Sequence, residues 1–380
     1  MAAKTSLQVE VFSRLADVEQ EAWDGCAKQA NPFVSYAFLS ALEESGSIGE
    51  GTGWYPRYLG LREPGQELSA VLPCYAKTHS YGEYVFDQGW ASAFEQAGGR
   101  YYPKLQVAVP FSPVPGPRLL TNGPDMAQAA AALEAVAAGS SCSSAHVTFC
   151  TEAEWHGLGQ AGWLQRLGLQ FHWENRFYEH FDEFLEGLSS RKRKAIRRER
   201  REAQAGLTFR TLHGPEITQA IWERFYEFYL STVERKWGGA YLTPKFFPLL
   251  GDRLGDKAVL MLAERNGKPI AGALNLRGED TLYGRNWGCT EDVPFLHFEL
   301  CYYQAIEYAI SHGLKRVEAG AQGEHKIQRG YLPQPTYSAH FIAHSGLRAA
   351  VEHFLAEERQ NTLTAIAELT REGPYKTDAG

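Results

Sequence analysis

The chain has 380 residues, a length that suits two or three domains. With 44% apolar and 22% charged residues it has the composition of an ordinary folded protein; 37 glycines without a three-residue period and six scattered cysteines exclude collagen-like and disulfide-scaffold classes. A net charge of −7 argues against a surface coated in positive charge for general nucleic-acid binding.

Residues 6–12 alternate like a short strand, and 16–28 follow with helical spacing. Asn31-Pro32 breaks the chain, 35–44 reads as a helix, and the Gly/Ser-rich tract 45–53 ends it. Strand-like runs at 55–62 and 68–78 flank a Pro-Gly turn. Residues 105–109 form an apolar strand that the Pro-rich loop 110–117 interrupts. The alanine-rich stretch 125–138 predicts a helix. A short strand at 146–150 leads into Thr151-Glu152-Ala153-Glu154, a capping box that starts another helix, and 171–180 extends as a strand.

The order then starts again. Residues 181–205 are helical, 207–212 a strand, and from Pro215 the residues Ile217, Ile221, Phe225, Phe228, Tyr229 and Thr232 recur at helical spacing. Strands at 258–264 and 269–277 flank an Asn266-Gly267 hairpin signal. A strand at 281–288, a helix at 297–312 and a strand at 316–319 complete the pattern. Two such halves predict a duplicated α+β (α/β) unit, divided as 1–178 and 179–380, the second including the basic helix 181–205.

Charge is unevenly distributed. Residues 191–201 hold eight basic residues against one acidic, and like charges four apart on a helix repel. Arg191, Lys192, Arg193, Lys194, Arg197 and Arg198 are therefore candidates for gripping phosphate, from tRNA, a nucleotide-linked precursor or a CoA moiety, or for resting on an anionic membrane. The cysteines contain no C-x-x-C pair, and no H-E-x-x-H, G-x-S-x-G or Walker loop occurs, so no metal is expected. Residues 1–10 lack a signal-peptide layout and no run reaches the length of a membrane span, which with the free thiols predicts a cytoplasmic protein or one peripheral at the inner face of the membrane.

Four blocks carry a resemblance: Asn31-Pro32-Phe33 with 35–43; His79 to Asp87; Gly99 to Leu105 with Val109-Pro110-Phe111 and Pro117 to Leu120; and Glu318 to Lys326 with Arg329-Gly330. Together with the element order they resemble the FemAB-like family of peptidoglycan biosynthesis/recognition proteins and N-acyltransferases, whose fold is a tandem pair of GNAT-type units with mixed central sheets. The resemblance implies an N-acyltransferase that moves an acyl or aminoacyl group from an activated donor, acyl-CoA favoured, to an amine by direct attack, in a cleft near the junction of the units. Aminoacyl-tRNA-dependent transfer to a peptidoglycan precursor is one alternative; a non-catalytic binder of an anionic wall or lipid precursor is another. The acceptor it implies is a small-molecule, lipid or peptidoglycan-precursor amine, with tRNA as a transient donor and no stable nucleic-acid complex.

Acyl transfer needs a neutral amine, a donor for the oxyanion, a proton source and a phosphate anchor. GNAT-type enzymes anchor pyrophosphate on a Q/R-x-x-G-x-G/A loop, and the nearest match here, Arg285-Asn286-Trp287-Gly288-Cys289-Thr290, ends in Thr where Gly or Ala belongs. The densest cluster, 318–329, offers Glu318 or Glu324 as general base, Lys326 and Arg329 as electrostatic stabilisers, and His325 where the family's Phe-Lys motif has Phe. The block ending in Asp87-Gln88-Gly89-Trp90 reads as a strand with Glu83 and Asp87 on one side and Tyr84 on the other, an amine site that also involves Tyr81 and Trp90. Tyr102, Lys104 and Arg118 are candidates for reaching phosphates, and Arg285 and Trp287 for lining the substrate site.

Overall fold

The computed structural model describes residues 7–28, 31–123, 126–236, 239–320 and 323–376. By contacts the chain forms two units, residues 1–168 with 335–364 and residues 169–334 with 365–380.

The first unit contains two sheets. Gln8–Phe12, Tyr58–Arg62, Ala70–Leu72 and Leu120–Thr121 form a small antiparallel one. In the other, Trp54–Pro56 and Cys74–Lys77 lead antiparallel to Lys104–Val107, which runs parallel to Ser144–Cys150. A parallel neighbour requires a crossover, and the helix Met126–Gly139 supplies it. Its Ala129, Leu133 and Ala137 are buried with Leu105, Val107, Ala145 and Val147. The capping box forms as the residues predict: Thr151 Oγ1 accepts from the Glu154 amide at 3.2 Å, and Glu154 accepts from the Thr151 amide at 2.8 Å.

The second unit repeats the plan. Thr208–His213, Ala258–Arg265, Lys268–Arg277 and Thr281–Cys289 form an antiparallel meander, and Thr281–Cys289 then runs parallel to Arg316–Glu318. The Asn266-Gly267 turn has both residues in the left-handed region, at φ +51° and +75°, as a two-residue hairpin requires. Helix Gln219–Lys236 packs closely on this sheet because two glycines admit it. A Cβ on Gly272 would meet Phe225, and one on Gly288 would lie 1.7 Å from the Phe228 carbonyl oxygen. The crossover from 296 to 311 is helical, with a π-turn at Glu299–Tyr303.

Each unit completes its parallel pair with a strand from the other half of the sequence. Residues 337–342 pair with Ser144–Cys150 in the first unit, and 172–174 pair with Arg316–Glu318 in the second. A single division after residue 178 follows chain order, whereas contacts assign 335–364 to the first unit and 169–178 to the second. Residues 181–205 are two helices, Phe181–Glu186 and Ser190–Gln204, rather than one. Between them Leu188 is buried and bridges Tyr375, which breaks the helical run.

Candidate functional site

In the second unit the strands Thr281–Cys289 and Arg316–Glu318 pair only through 281–283 and 316–318, then part. Past Tyr283 the longer strand stays paired with Lys268–Arg277 on one side, and among the described residues no strand pairs with 284–289 on the other. A register shift at Leu274/Asn275 makes Arg285 the extra residue of a β-bulge, so the backbone is re-aimed where the strands separate. A strand edge that no other strand covers is a place where an extended ligand can add. Trp287 lies one residue beyond Asn286 on this stretch, its ring 5.1 Å from that of His297.

Glu318 ends the short strand, 5% exposed, with Tyr283 opposite it on one side and His172 on the other. Arg316 approaches its carboxylate at 3.9 Å. Burial pushes the Tyr283 phenol up, with the Glu318 charge adding to the effect. Burial, and then Arg316 and Lys326, push His172 down to about 3, so its ring is neutral. Neither His172 nor Tyr283 is marked by any local motif; only the strand pairing brings them to Glu318.

Lys326 sits on the short helix Glu324–Arg329, between Gly323 at φ +120° and Gly330 at φ +93°. It is 1% exposed, and its ammonium donates to the Gly320 carbonyl at 2.8 Å, two residues beyond Glu318. Its charge also acts on His172. Lys326 and Glu318 are thus gathered around the point where the strands part. Glu324 and His325 are on the exposed side of the same helix, His325 Nε2 lying 2.9 Å from the Tyr302 hydroxyl. Arg329 points elsewhere: it is ion-paired with Glu199 at 2.9 Å, and its guanidinium stacks 3.4 Å from the centre of the Phe298 ring. Ala321 and Gln322 lie outside the described residues.

The basic helix divides into two parts. Arg197 pairs with Asp182 at 2.9 Å and Arg198 with Glu202 at 3.5 Å. Arg200 binds the fully buried Glu299 of the π-turn at 3.0 Å and Glu307 at 2.8 Å. An open groove of about 720 Å³ lies here, lined by Phe181, Arg197, Arg200, Arg201, Gln204 and Glu307 among others. Arg191, Lys192, Arg193 and Lys194 make no ion pair among the described residues. The stretch 290–295, which precedes the crossover helix, contains exposed Glu291 and Asp292 and the amide-less Pro294, a poor bed for a pyrophosphate.

In the first unit, residues 79–87 are a loop and not the expected strand, because Gly82 takes φ +78° and Tyr84 φ +61°. The loop folds Glu83 and Asp87 inward onto Lys104 of the neighbouring strand. The Lys104 ammonium donates to Glu83 at 2.7 Å, to Ser80 at 2.9 Å and to Asp87, with all three charged side chains at most 3% exposed. Lys77, which no motif singled out, joins them: 3.8 Å from Glu83, 3.2 Å from the Tyr81 carbonyl and 3.6 Å above the Trp54 ring. Burial pushes Lys77 down to about 7 and Glu83 up to about 7. Burial opposes the Lys104 ammonium and the Asp87 carboxylate as well. The attraction of Glu83 and then Asp87 outweighs it for Lys104, which is raised, and the attraction of Lys104 outweighs it for Asp87, which is held below the usual carboxylate range.

Around this network Tyr102 bonds Ser80 at 2.8 Å, and Tyr101 donates to Asp87 at 2.8 Å. Trp90 is buried edge-on to His340. Arg118 is fully buried, donating to the carbonyls of Val114, Gly116, Pro117 and Thr148, and so shapes the Pro-rich loop. Tyr81 and Phe86 remain exposed, at 65% and 57%. Among the described residues no helix is long and apolar enough to cross a membrane, and no group of three His, Cys, Asp or Glu could hold a metal ion.

A FemAB-like family model, described as peptidoglycan biosynthesis/recognition, matches residues 14–377. Among solved structures, FemX is 12% identical, covering 88% of this chain and 98% of its own with a TM-score of 0.53. The C-terminal (DUF2156) domain of a provisionally assigned lysylphosphatidylglycerol synthetase from Agrobacterium fabrum is 11% identical, covering 90% and 96% with a TM-score of 0.55. L-PGS from Bacillus licheniformis is 12% identical, covering 86% and 98% with a TM-score of 0.51. No curated protein matches. At these identities the likeness is one of fold, the mixed α+β arrangement described above.

Proposed function

The chain belongs to the FemAB-like family of peptidoglycan biosynthesis/recognition proteins, and from that premise we propose that it is an N-acyltransferase acting by direct attack of an amine on an activated acyl carbonyl. The observation that carries this reading is the parting of Thr281–Cys289 from Arg316–Glu318, with a bulge at Arg285 and the buried pair Glu318 and Lys326 at the fork. An extended thioester or ester arm would add to the open strand edge through main-chain hydrogen bonds. The Lys326 ammonium would place positive charge toward the developing oxyanion in a site shielded from water. Glu318, flanked by neutral His172, would receive the proton of the attacking amine. Collapse of the tetrahedral intermediate would then break the acyl–sulfur or acyl–oxygen bond, the donor leaving as a thiol or hydroxyl that takes up this proton.

The donor is acyl-CoA or another activated acyl group. The acidic residues at 291 and 292 and the missing Gly or Ala at 290 favour a donor held other than by a pyrophosphate loop, and this supports aminoacyl-tRNA as the second reading. The acceptor is an amine of a small molecule, a lipid or a peptidoglycan precursor, in keeping with the family. Native mass spectrometry with acetyl-CoA, long-chain acyl-CoA and aminoacyl-tRNA in turn tests the proposal. Retention of one donor is the expected result and fixes the subclass. Retention of none would favour a non-catalytic binder.

A further inference from the structure

Phe177 is 98% exposed, and its backbone stands at φ +63°, a conformation that is costly for an aromatic residue. The turn that holds it is fastened on both sides. The Asn175 amide donates to Lys315 at 2.7 Å, and the Tyr178 amide donates to the Asn175 side chain at 3.0 Å. Arg176 stacks 3.9 Å over the Tyr375 ring, Tyr375 bridges Leu188, and the Ser189 amide donates to Pro374 at 2.9 Å. The next residue starts the basic helix. The turn that presents Phe177 is therefore joined through Arg176, Tyr375 and Pro374 to Ser189, the residue before that helix.

Arg191, Lys192, Arg193 and Lys194 occupy those turns, and the first turn holds no acidic residue. Four cations at the positive end of a helix oppose its dipole as well as one another. Arg176 and exposed Lys376, whose amide bonds Gly187 at 3.0 Å, extend the patch. Of the nearby carboxylates Asp182 is paired with Arg197, Glu183 accepts from the Glu179 amide, and Glu179 and Glu186 are exposed, so cations outnumber acids on this patch. Neither the strained, solvated aromatic nor the repelling cations serve the fold.

We propose that this surface docks on an anionic phospholipid bilayer, with Phe177 inserted at the headgroup boundary and Arg176, Arg191, Lys192, Arg193 and Lys194 on lipid phosphates. One exposed apolar side chain, joined through its turn to a run of cations, matches an interface that is apolar beneath and anionic above. Single-stranded RNA calls instead for a row of stacking rings along a groove.

The test is flotation of the full chain with vesicles of phosphatidylcholine alone and of phosphatidylcholine with 30% phosphatidylglycerol, alongside filter binding of tRNA. Binding is expected only to the phosphatidylglycerol vesicles. Phe177→Ser, which removes no packing contact, should weaken it about 5- to 10-fold, and Arg191→Glu with Lys192→Glu about 100-fold or more, at ~5-fold for each charge step near the surface. Equal binding to neutral vesicles, no vesicle binding, tRNA binding in its place, or an unchanged Phe177→Ser would each overturn the proposal.

Discussion

Arg329 donates through one nitrogen to both oxygens of Glu199, at 2.9 and 3.0 Å, and so fastens the short helix that holds Lys326 to the basic helix. The pair is largely shielded from water, its side chains 8% and 15% exposed, and Tyr303 donates to the same carboxylate.

Arg329→Ala would leave Glu199 buried without its cation, and removing one partner of such a pair costs about 3 kcal/mol. Urea denaturation of the full chain should show this loss. Arg329→Ala combined with Glu199→Gln should lose less than the sum of the two singles, because neither then strands a charge. A loss under about 1 kcal/mol for Arg329→Ala would mean that the two helices are held by packing alone.

The first unit's buried network makes a pH-dependent prediction. In Lys104→Met, Glu83 and Asp87 lose the ammonium that bridges them and keep only Lys77, 3.8 Å from Glu83, so their pKa values rise. Carboxyls raised in the folded state stabilise it as pH falls, so the variant recovers on acidification. The wild type keeps the Lys104–Asp87 attraction until pH falls through the depressed pKa of Asp87, below the usual carboxylate range. The deficit, about 3–5 kcal/mol at pH 7, should therefore narrow by pH 5. A deficit independent of pH would mean that Lys104 acts through shape and not charge.

Three buried histidines set a second pH dependence. His146 and His340 share a 2.7 Å Nδ1–Nδ1 hydrogen bond, so one donates and the other accepts, and burial keeps both rings neutral. Burial pushes His146 and His172 down to about 3, and burial, followed by His146 and Arg166, holds His340 well below the ordinary histidine range. The unfolded chain takes up these protons below an ordinary histidine pKa while the folded chain refuses them, so stability falls as pH drops from about 6.5. Glu83, raised to about 7, runs the opposite way over the same range and cancels one proton. The net slope is on the order of one to two protons, or about 1.4 kcal/mol per pH unit for each. Denaturation midpoints at pH 7, 6 and 5 measure it, and His146→Gln should flatten it by one proton. A flat profile in the wild type would show that these rings titrate normally.

Close backbone contact makes Gly288 irreplaceable. A methyl group there would lie 1.7 Å from the Phe228 carbonyl, so Gly288→Ala must push helix Gln219–Lys236 off the sheet, a loss of several kcal/mol, ~3 or more. Gly25, within helix Gln20–Ala27, has no atom within 4 Å of its Cβ position. Gly25→Ala should stabilise by about 0.5–1 kcal/mol. Thermal unfolding of both variants gives the comparison, and equal melting temperatures would contradict the packing described.

Features that depend on a few adjacent residues were legible in the sequence. The Thr151–Glu154 capping box, the Asn266-Gly267 turn and the Ala-rich crossover helix each form where the pattern puts them. Partners that meet only through long-range pairing were not. Nothing near Glu318 in sequence announces His172, and nothing near Glu83 announces Lys104. The loop 79–87 illustrates the limit. Period-two spacing places Glu83 and Asp87 on one strand face, but two left-handed residues and the attraction of a buried lysine decide otherwise. The interleaving of the units has the same origin, since strands that complete a sheet carry no mark of which sheet they join.

The central claim rests on Lys326. The full chain should be incubated with the retained donor and a mixture of candidate amines, and acylated product quantified by mass spectrometry for wild type and Lys326→Met. The methionine keeps the aliphatic stem, so the melting temperature should stay within a few degrees while transfer falls about 100-fold or more, the scale of losing one charge-stabilising group. Acylated amine formed equally by both proteins, or by neither with any donor, would contradict the account.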